Sequence, residues 1–185
     1  MEEKILKETE AKMEKTLAAL KADLNKVRTG RASLALLDDI RIDYYGTPTP
    51  LQQAASLAVP EPRLITIQPW DTSVIGEIEK AILKSELGLT PINDGKIIRI
   101  SIPRLTEERR KELVKVVKKM TEAAKVALRN IRREENEQLK SFEKDKKISQ
   151  DQLRQWMDKV QKSTDKYIEK ADGVLAAKEK EILEI

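Results

Sequence analysis

The sequence predicts an α+β protein: a long three-helix bundle with an inserted small β/α/β domain. Three observations carry that prediction. All seven prolines (Pro48, Pro50, Pro60, Pro62, Pro69, Pro91, Pro103) and four of the six glycines (Gly46, Gly76, Gly88, Gly95) fall between residues 46 and 103. Proline removes a backbone donor and glycine weakens a helix interior, so a turn-rich middle separates two helix-permissive ends. On both flanks, apolar residues recur at alternating spacings of three and four, the stripe of a packed helix. Finally, 37% of the 185 residues are charged and only 3% aromatic. The core must therefore be built from Leu, Ile, Val, Met and Ala on amphipathic elements.

In chain order, Met13, Leu17, Leu20, Leu24 and Val27 form the first stripe, with Gly30 placed to end the helix. Ile40, Ile42 and Tyr44 alternate with Arg41, Asp43 and Tyr45 ahead of Gly46-Thr47-Pro48, which predicts a half-buried strand entering a hairpin. Residues 57–59, 64–68 and 96–102 read as further short strands. After Trp70-Asp71-Thr72, the run Val74, Ile78, Ala81 and Ile82 fits a helix closing at Gly88, and Asn93-Asp94-Gly95 is a turn. Past Pro103, Thr106 is placed as an N-cap with Glu107 and Glu108 in the first turn. Leu113, Val117, Met120, Ala124, Ala127 and Ile131 continue that helix's stripe toward Leu139 and Phe142. A lysine-rich break at Lys144 to Ile148 leads to the capping-box pattern Ser149-Gln150-Asp151-Gln152. The third stripe then runs through Leu153, Met157, Val160, Thr164, Tyr167, Ala171, Val174 and Ile182 over residues 150–184, a helix of roughly 50 Å. Residues 1–30 with 105–185 thus make the bundle, and residues 31–104 make an insertion held by two connections.

Composition excludes most chemistry. The chain has no Cys, hence neither a disulfide framework nor a thiolate nucleophile, and no His, the usual general base and transition-metal ligand. It shows no P-loop, GxGxxG or Ser-His-Asp set, so the reading is of a protein that is not an enzyme and takes no cofactor or metal. The N-terminus is charged from residue 2 and no 18 apolar residues follow one another. A soluble, cytoplasmic protein is expected.

The charge is unevenly spread. Residues 106–185 carry 21 basic and 17 acidic groups, which accounts for the whole net charge of +4. Between residues 109 and 133 stand ten basic residues (Arg109, Arg110, Lys111, Lys115, Lys118, Lys119, Lys125, Arg129, Arg132, Arg133) against Glu112 and Glu122. At 100° per residue, Lys111, Lys118, Lys125, Arg129 and Arg132 fall within about 60° of one another, roughly opposite the apolar stripe. A line of cations on a rod suits the phosphates of a nucleic acid, and arginine's planar fork suits them best. Arg28 and Arg31, bracketing Gly30, add two forks near the end of the first helix. With so few aromatics there is no base-stacking platform, so shape and phosphate recognition of structured RNA is expected. Tyr44 and Tyr45, Trp70, Trp156 and Tyr167 are all expected to pack. The run Glu134-Glu135-Asn136-Glu137 is explained by pairing within its own helix. The competing reading is a helical protein-interaction scaffold without RNA binding, whose charge only solvates it.

The segments VRTGRAS (27–33), DYYGTPTPLQQ (43–53), PWD (69–71), LGLTPINDGKIIRISIP (87–103), LTEERR (105–110) and RNIRRE (129–134) together resemble the ribosome recycling factor family. They lie in that family's order along the whole chain. The resemblance implies an L-shaped molecule with dimensions like transfer RNA, and a hinge at Thr29, Gly30, Arg31, Pro103, Arg104 and Leu105. It implies a monomeric translation factor that binds the post-termination ribosome. With elongation factor G and GTP, such a factor splits the ribosome into subunits and releases mRNA and deacylated tRNA. The bundle would grip large-subunit ribosomal RNA through Arg28, Arg31, Arg110, Arg129, Arg132 and Arg133, with Lys118 and Lys125 on the same line. The small domain would face elongation factor G and the small subunit.

Overall fold

The computed structural model describes residues 2–184. It contains five α-helices and six strands: α1 (Glu2–Asn25), β1 (Arg41–Tyr44), β2 (Thr47–Pro50), α2 (Leu51–Ala54), β3 (Ala55–Glu61), β4 (Leu64–Pro69), α3 (Ile75–Lys84), β5 (Pro91–Asn93), β6 (Ile98–Ser101), α4 (Glu107–Lys144) and α5 (Gln150–Leu183). The chain divides into two compact units. One joins the residues up to Val27 to Glu107–Glu184, and the other is Arg28–Thr106.

In the first unit α1, α4 and α5 pack pairwise against one another. Met13, Leu17, Leu20 and Leu24 are buried on α1, and Val160, Tyr167, Ala171 and Ile182 on α5. On α4 the buried seam runs through Leu113, Val117, Thr121, Leu128, Glu135 and Leu139. This shifts the stripe read from the sequence: Met120, Ala124, Ala127 and Ile131 flank the seam half-buried. A threonine and a glutamate hold central places. Thr121 satisfies its hydroxyl on the Val117 carbonyl at 2.9 Å, as Thr164 does on Val160 at 2.7 Å, so neither buries an orphan donor. Glu135 accepts from Lys12 of α1 at 2.6 Å, across helices rather than within one. Truncating the fully buried Leu128 to alanine would cost about 2–5 kcal/mol.

Helix ends follow local chemistry. Ser149 and Gln152 form the full capping box that starts α5. The preceding turn reverses at Lys146, whose φ is +59°, and Leu139, Ile148, Trp156 and Val160 close that end of the core. Glu107 and Glu108 occupy the first turn of α4, where the helix dipole favours them. Gly30 does not cap α1: the helix stops at Asn25, and Lys26 and Val27 make one tighter turn onto Asp23 and Leu24. Tyr167 is buried in this core, and its burial together with a hydrogen bond to Glu14 pushes its phenol up.

The second unit is an antiparallel sheet in the order β3-β4-β6-β5, accompanied by the β1-β2 hairpin. Ile65 and Ile67 of β4 and Ile98 and Ile100 of β6 alternate inward and meet Ile78 and Ile82 of α3, the period-two and 3.6-residue patterns sharing one core. Pro60 is tolerated because β3 is an edge strand. The helix read as closing at Gly88 ends earlier, at Lys84, and Ser85 turns out of it. Three short pieces carried too little pattern to be read: β5, the single turn α2, and a 3-10 turn at Leu34–Leu37. The aromatic expectations divide. Trp156 and Tyr167 are buried and Tyr44 half-buried, but Tyr45 and Trp70 are exposed.

Candidate nucleic-acid interface

The basic residues of α4 separate into two rows. Lys118 lies 3.4 Å from Glu179, Lys125 pairs with Asp172, and Arg132 donates to Gln161 at 3.0 Å. Gln161 in turn donates to Asp165 at 2.8 Å. On α4 these cations are seven residues apart, and on α5 the carboxylates at 165, 172 and 179 are seven apart in the opposite sense. Two antiparallel helices packed side by side keep such positions on one flank of their seam. The expectation that Lys118, Lys125 and Arg132 lie opposite the apolar stripe is therefore corrected: they border it and are engaged by α5, the two lysines by carboxylates and Arg132 by the Gln161 amide. Lys125 keeps only 17% of its side chain exposed.

The second row faces solvent. Lys115 and Arg133 are eighteen residues apart, five helical turns, and so share one azimuth about 27 Å apart along the axis; Lys119 is 40° away. All three are exposed. Among the described residues no ion pair or hydrogen bond involves their side chains. Between them Arg129, 38% exposed, pairs with Glu122 at 3.0 Å. Lys111 is exposed and paired with Glu107 at 2.8 Å. Lys115 and Lys119 belong to the ten-residue cluster but were left out of the line drawn from the sequence, because that line was measured from a stripe slightly misplaced in azimuth.

The remaining arginines lie elsewhere. Arg110 sits three residues before Leu113 and seven before Val117, half-buried on the seam side, with its Nε buried and without a hydrogen-bond partner. Arg28 and Arg31 are exposed but belong to the small unit, beyond the end of α1. Arg28 donates to the Leu87 carbonyl at 3.0 Å and lines a cleft of about 800 Å³ floored by Ile40 and Ile42.

The residues read as a hinge are built tightly. Thr29 is buried. Gly30 has φ +78°, and a Cβ there would stand 3.1 Å from Leu105 Cγ, so both the backbone and the space demand glycine. The Ala32 N–H donates to the Pro62 carbonyl and the Ile102 N–H to the Arg63 carbonyl, each at 2.8 Å. The β3-β4 turn thereby ties both connections. Pro103 and Arg104 are exposed and Leu105 half-buried.

No group of His, Cys, Asp and Glu with metal-binding geometry occurs among the described residues. No helix among them is long and apolar enough to cross a membrane. The arrangement offers no group poised for covalent or acid-base chemistry. It offers unneutralised positive charge on a rigid rod.

Comparison with known proteins bears directly on that arrangement. A family model described as ribosome recycling factor matches residues 20–183. The chain is 63% identical over 181 residues to the ribosome-recycling factor of Oleidesulfovibrio alaskensis, with 98% of each chain covered. It is 62% identical to that of Syntrophus aciditrophicus over the full length of both. Among solved structures it is similar to a solution structure of the ribosome recycling factor, with a TM-score of 0.78 at 43% identity over 100% of this chain and 98% of that one. It is also similar to a T. thermophilus ribosome recycling factor described with E. coli elongation factor G bound to the E. coli post-termination complex. There the TM-score is 0.66 at 44% identity, with 99% of each chain covered.

Proposed function

The chain belongs to the ribosome recycling factor family, and on that premise we propose that it binds the post-termination ribosome in the cytoplasm and, with elongation factor G and GTP, splits it into subunits. Messenger and deacylated transfer RNA are then freed. The observation that carries the reading is the solvent row of α4: Lys115, Lys119 and Arg133 exposed without intramolecular partners on a 38-residue helix. A phosphate backbone is the partner such a row fits, because each neutralised phosphate releases counterions. The charge division supports it. Residues 28–106 hold nine basic and nine acidic groups, so the whole excess of +4 lies in the bundle unit.

On this reading the bundle is the large-subunit RNA-binding domain. Arg129 and Arg133 touch phosphate directly, while Lys118, Lys125, Arg132 and Arg110 shape the helix that presents them. The small domain faces elongation factor G and the small subunit. The chain acts as a monomer and performs no covalent chemistry. The energy for splitting comes from the partner's GTP, because this sequence has no phosphate-binding loop. Residues 29–31 and 103–105 would serve as the two-stranded hinge through which the GTPase moves the small domain.

The test is light scattering of post-termination ribosomes with this protein, elongation factor G and GTP, each omitted in turn, beside the Gly30→Pro variant. Splitting that needs all three components is expected. Proline locks φ near −65° where the backbone requires +78°. The variant should therefore lose splitting while its bundle still binds large subunits. Absence of splitting by a folded wild-type chain with an active GTPase would overturn the function, and equal losses of splitting and binding would remove the hinge.

A further inference from the structure

The small unit carries two large aromatic side chains that it does not use for packing: Tyr45 is 72% and Trp70 69% exposed. Their setting is built rather than incidental. Tyr45 and Gly46 form the two-residue loop of the β1-β2 hairpin with φ of +50° and +85°. The first place of such a loop ordinarily goes to Asn, Asp or Gly, because a larger side chain is disfavoured there. A tyrosine is held in it nonetheless. Its hydroxyl is hydrogen-bonded to the Asp71 carboxylate and lies 3.1 Å from Ser73 Oγ, and its ring meets Tyr44 edge-on at 4.9 Å. The Asp71 carboxyl is held below the usual carboxylate range by the bonds from Tyr45 and Ser73. Trp70, next in the chain to Asp71, is fixed at its base by an N–H bond to the Ala54 carbonyl at 3.0 Å. The Tyr45 ring is therefore presented with little rotamer freedom left to lose, beside a Trp70 whose backbone is anchored to the sheet, as in the hot spots of protein interfaces.

Charge selects the partner. The hairpin tip, the exit of β4 and the β5-β6 turn carry Asp43, Asp71 and Asp94 against Lys96 and Arg99, the last paired with Asp94 at 2.7 Å, which leaves one negative charge in excess. Asp94 stays ionised well into the acid range, its carboxyl lowered to about 2 by the N–H groups of Ile97 and Lys96 and by Arg99. Phosphates are repelled from such a surface, whereas lysine and arginine are attracted both by the carboxylates and by the ring faces. We propose that Tyr45 and Trp70 form a platform on which the small unit docks a lysine- or arginine-bearing protein surface of the ribosomal complex. This rests on the function proposed above and adds to it the chemistry of a second, RNA-independent contact.

Two measurements test the platform in the full-length chain. With the photo-reactive residue benzoylphenylalanine replacing Trp70, irradiation on purified post-termination ribosomes with elongation factor G should give a protein adduct whose captured peptide contains Lys or Arg. The same residue replacing Arg133 serves as the bundle control. Adducts from position 133 with only RNA, or nothing, from position 70 overturn the platform and leave the proposed function standing. Adducts from neither position, with no co-sedimentation, overturn both. In the second measurement Tyr45→Asn, which suits the left-handed backbone, is combined with Trp70→Ala. Ribosome affinity should fall about tenfold with the melting temperature unchanged or raised. Unchanged affinity would overturn the platform.

Discussion

Lys12 and Glu135 stand 123 residues apart and meet at 2.6 Å, with the glutamate side chain 4% exposed and the lysine 47%. A carboxylate in an apolar seam is tolerable only while a donor reaches it. Lys12→Met should therefore destabilise the bundle by about 2 kcal/mol in urea unfolding, less than a fully buried pair because the lysine keeps half its solvent. Replacing both, Lys12→Met with Glu135→Leu, should recover most of that loss. The pH sign follows from the lysine. Its pKa is raised above 10.5, chiefly by the Glu135 hydrogen bond, so the pair's contribution is full below that pH and fades as pH rises through the folded value. The gap between wild type and Lys12→Met should thus narrow as pH rises above 10.5; a constant gap would mean the loss is one of packing. This pair was not legible in the sequence. Glu135 sits among arginines on its own helix, and nothing local marks a partner on α1.

At the scale of the element, α4 shows how a correct helix yields a partly incorrect face. Its start at Glu107, with Glu107 and Glu108 in the first turn, and the capping box that starts α5 at Ser149 were readable to within a residue. The azimuth was not, because the seam passes through Thr121 and Glu135, which apolar periodicity skips, and an ideal helix drifts by about 20° per heptad against a packed one. The row of cations was accordingly drawn through Lys118, Lys125 and Arg132, which α5 engages through Glu179, Asp172 and Gln161. The two rows make different predictions. Replacing Lys115, Lys119 and Arg133 by alanine should lower ribosomal RNA affinity and flatten its salt dependence by two to three phosphate equivalents, leaving the melting temperature nearly unchanged. Lys125→Ala should do the reverse, costing about 0.5–1 kcal/mol of stability through the Asp172 pair with little change in the salt slope. Equal slopes for both variants would refute the division. The short elements of the small unit, α2 and β5, hold four and three residues and exist because neighbours pair with them, which no local pattern announces.

For the whole molecule, the units differ in how their chain is drawn together. The small unit is one continuous stretch, Arg28–Thr106, whose two ends are both clasped by the turn at Pro62 and Arg63. As a separate polypeptide it should fold, with one cooperative melt and exchange-protected amides at Ile65 and Ile67; a gradual melt would show that it needs the bundle. The bundle is discontinuous: α1 finds its partners only in α4 and α5, beyond residue 106. That difference fixes an order of birth. At 5–20 residues per second, about 4–16 s separate the synthesis of Asn25 from that of Glu107. A helix such as α1 draws most of its stability from packing its apolar face, which is unpartnered until then. The small unit can close only when β6 and Ile102 have been made, at the end of that interval, whereas the bundle waits a further 81 residues for the end of α5 at Leu183. The first segment to be made is thus among the last to be secured, and a nascent chain passes through a stage with one finished module trailing an exposed apolar stripe.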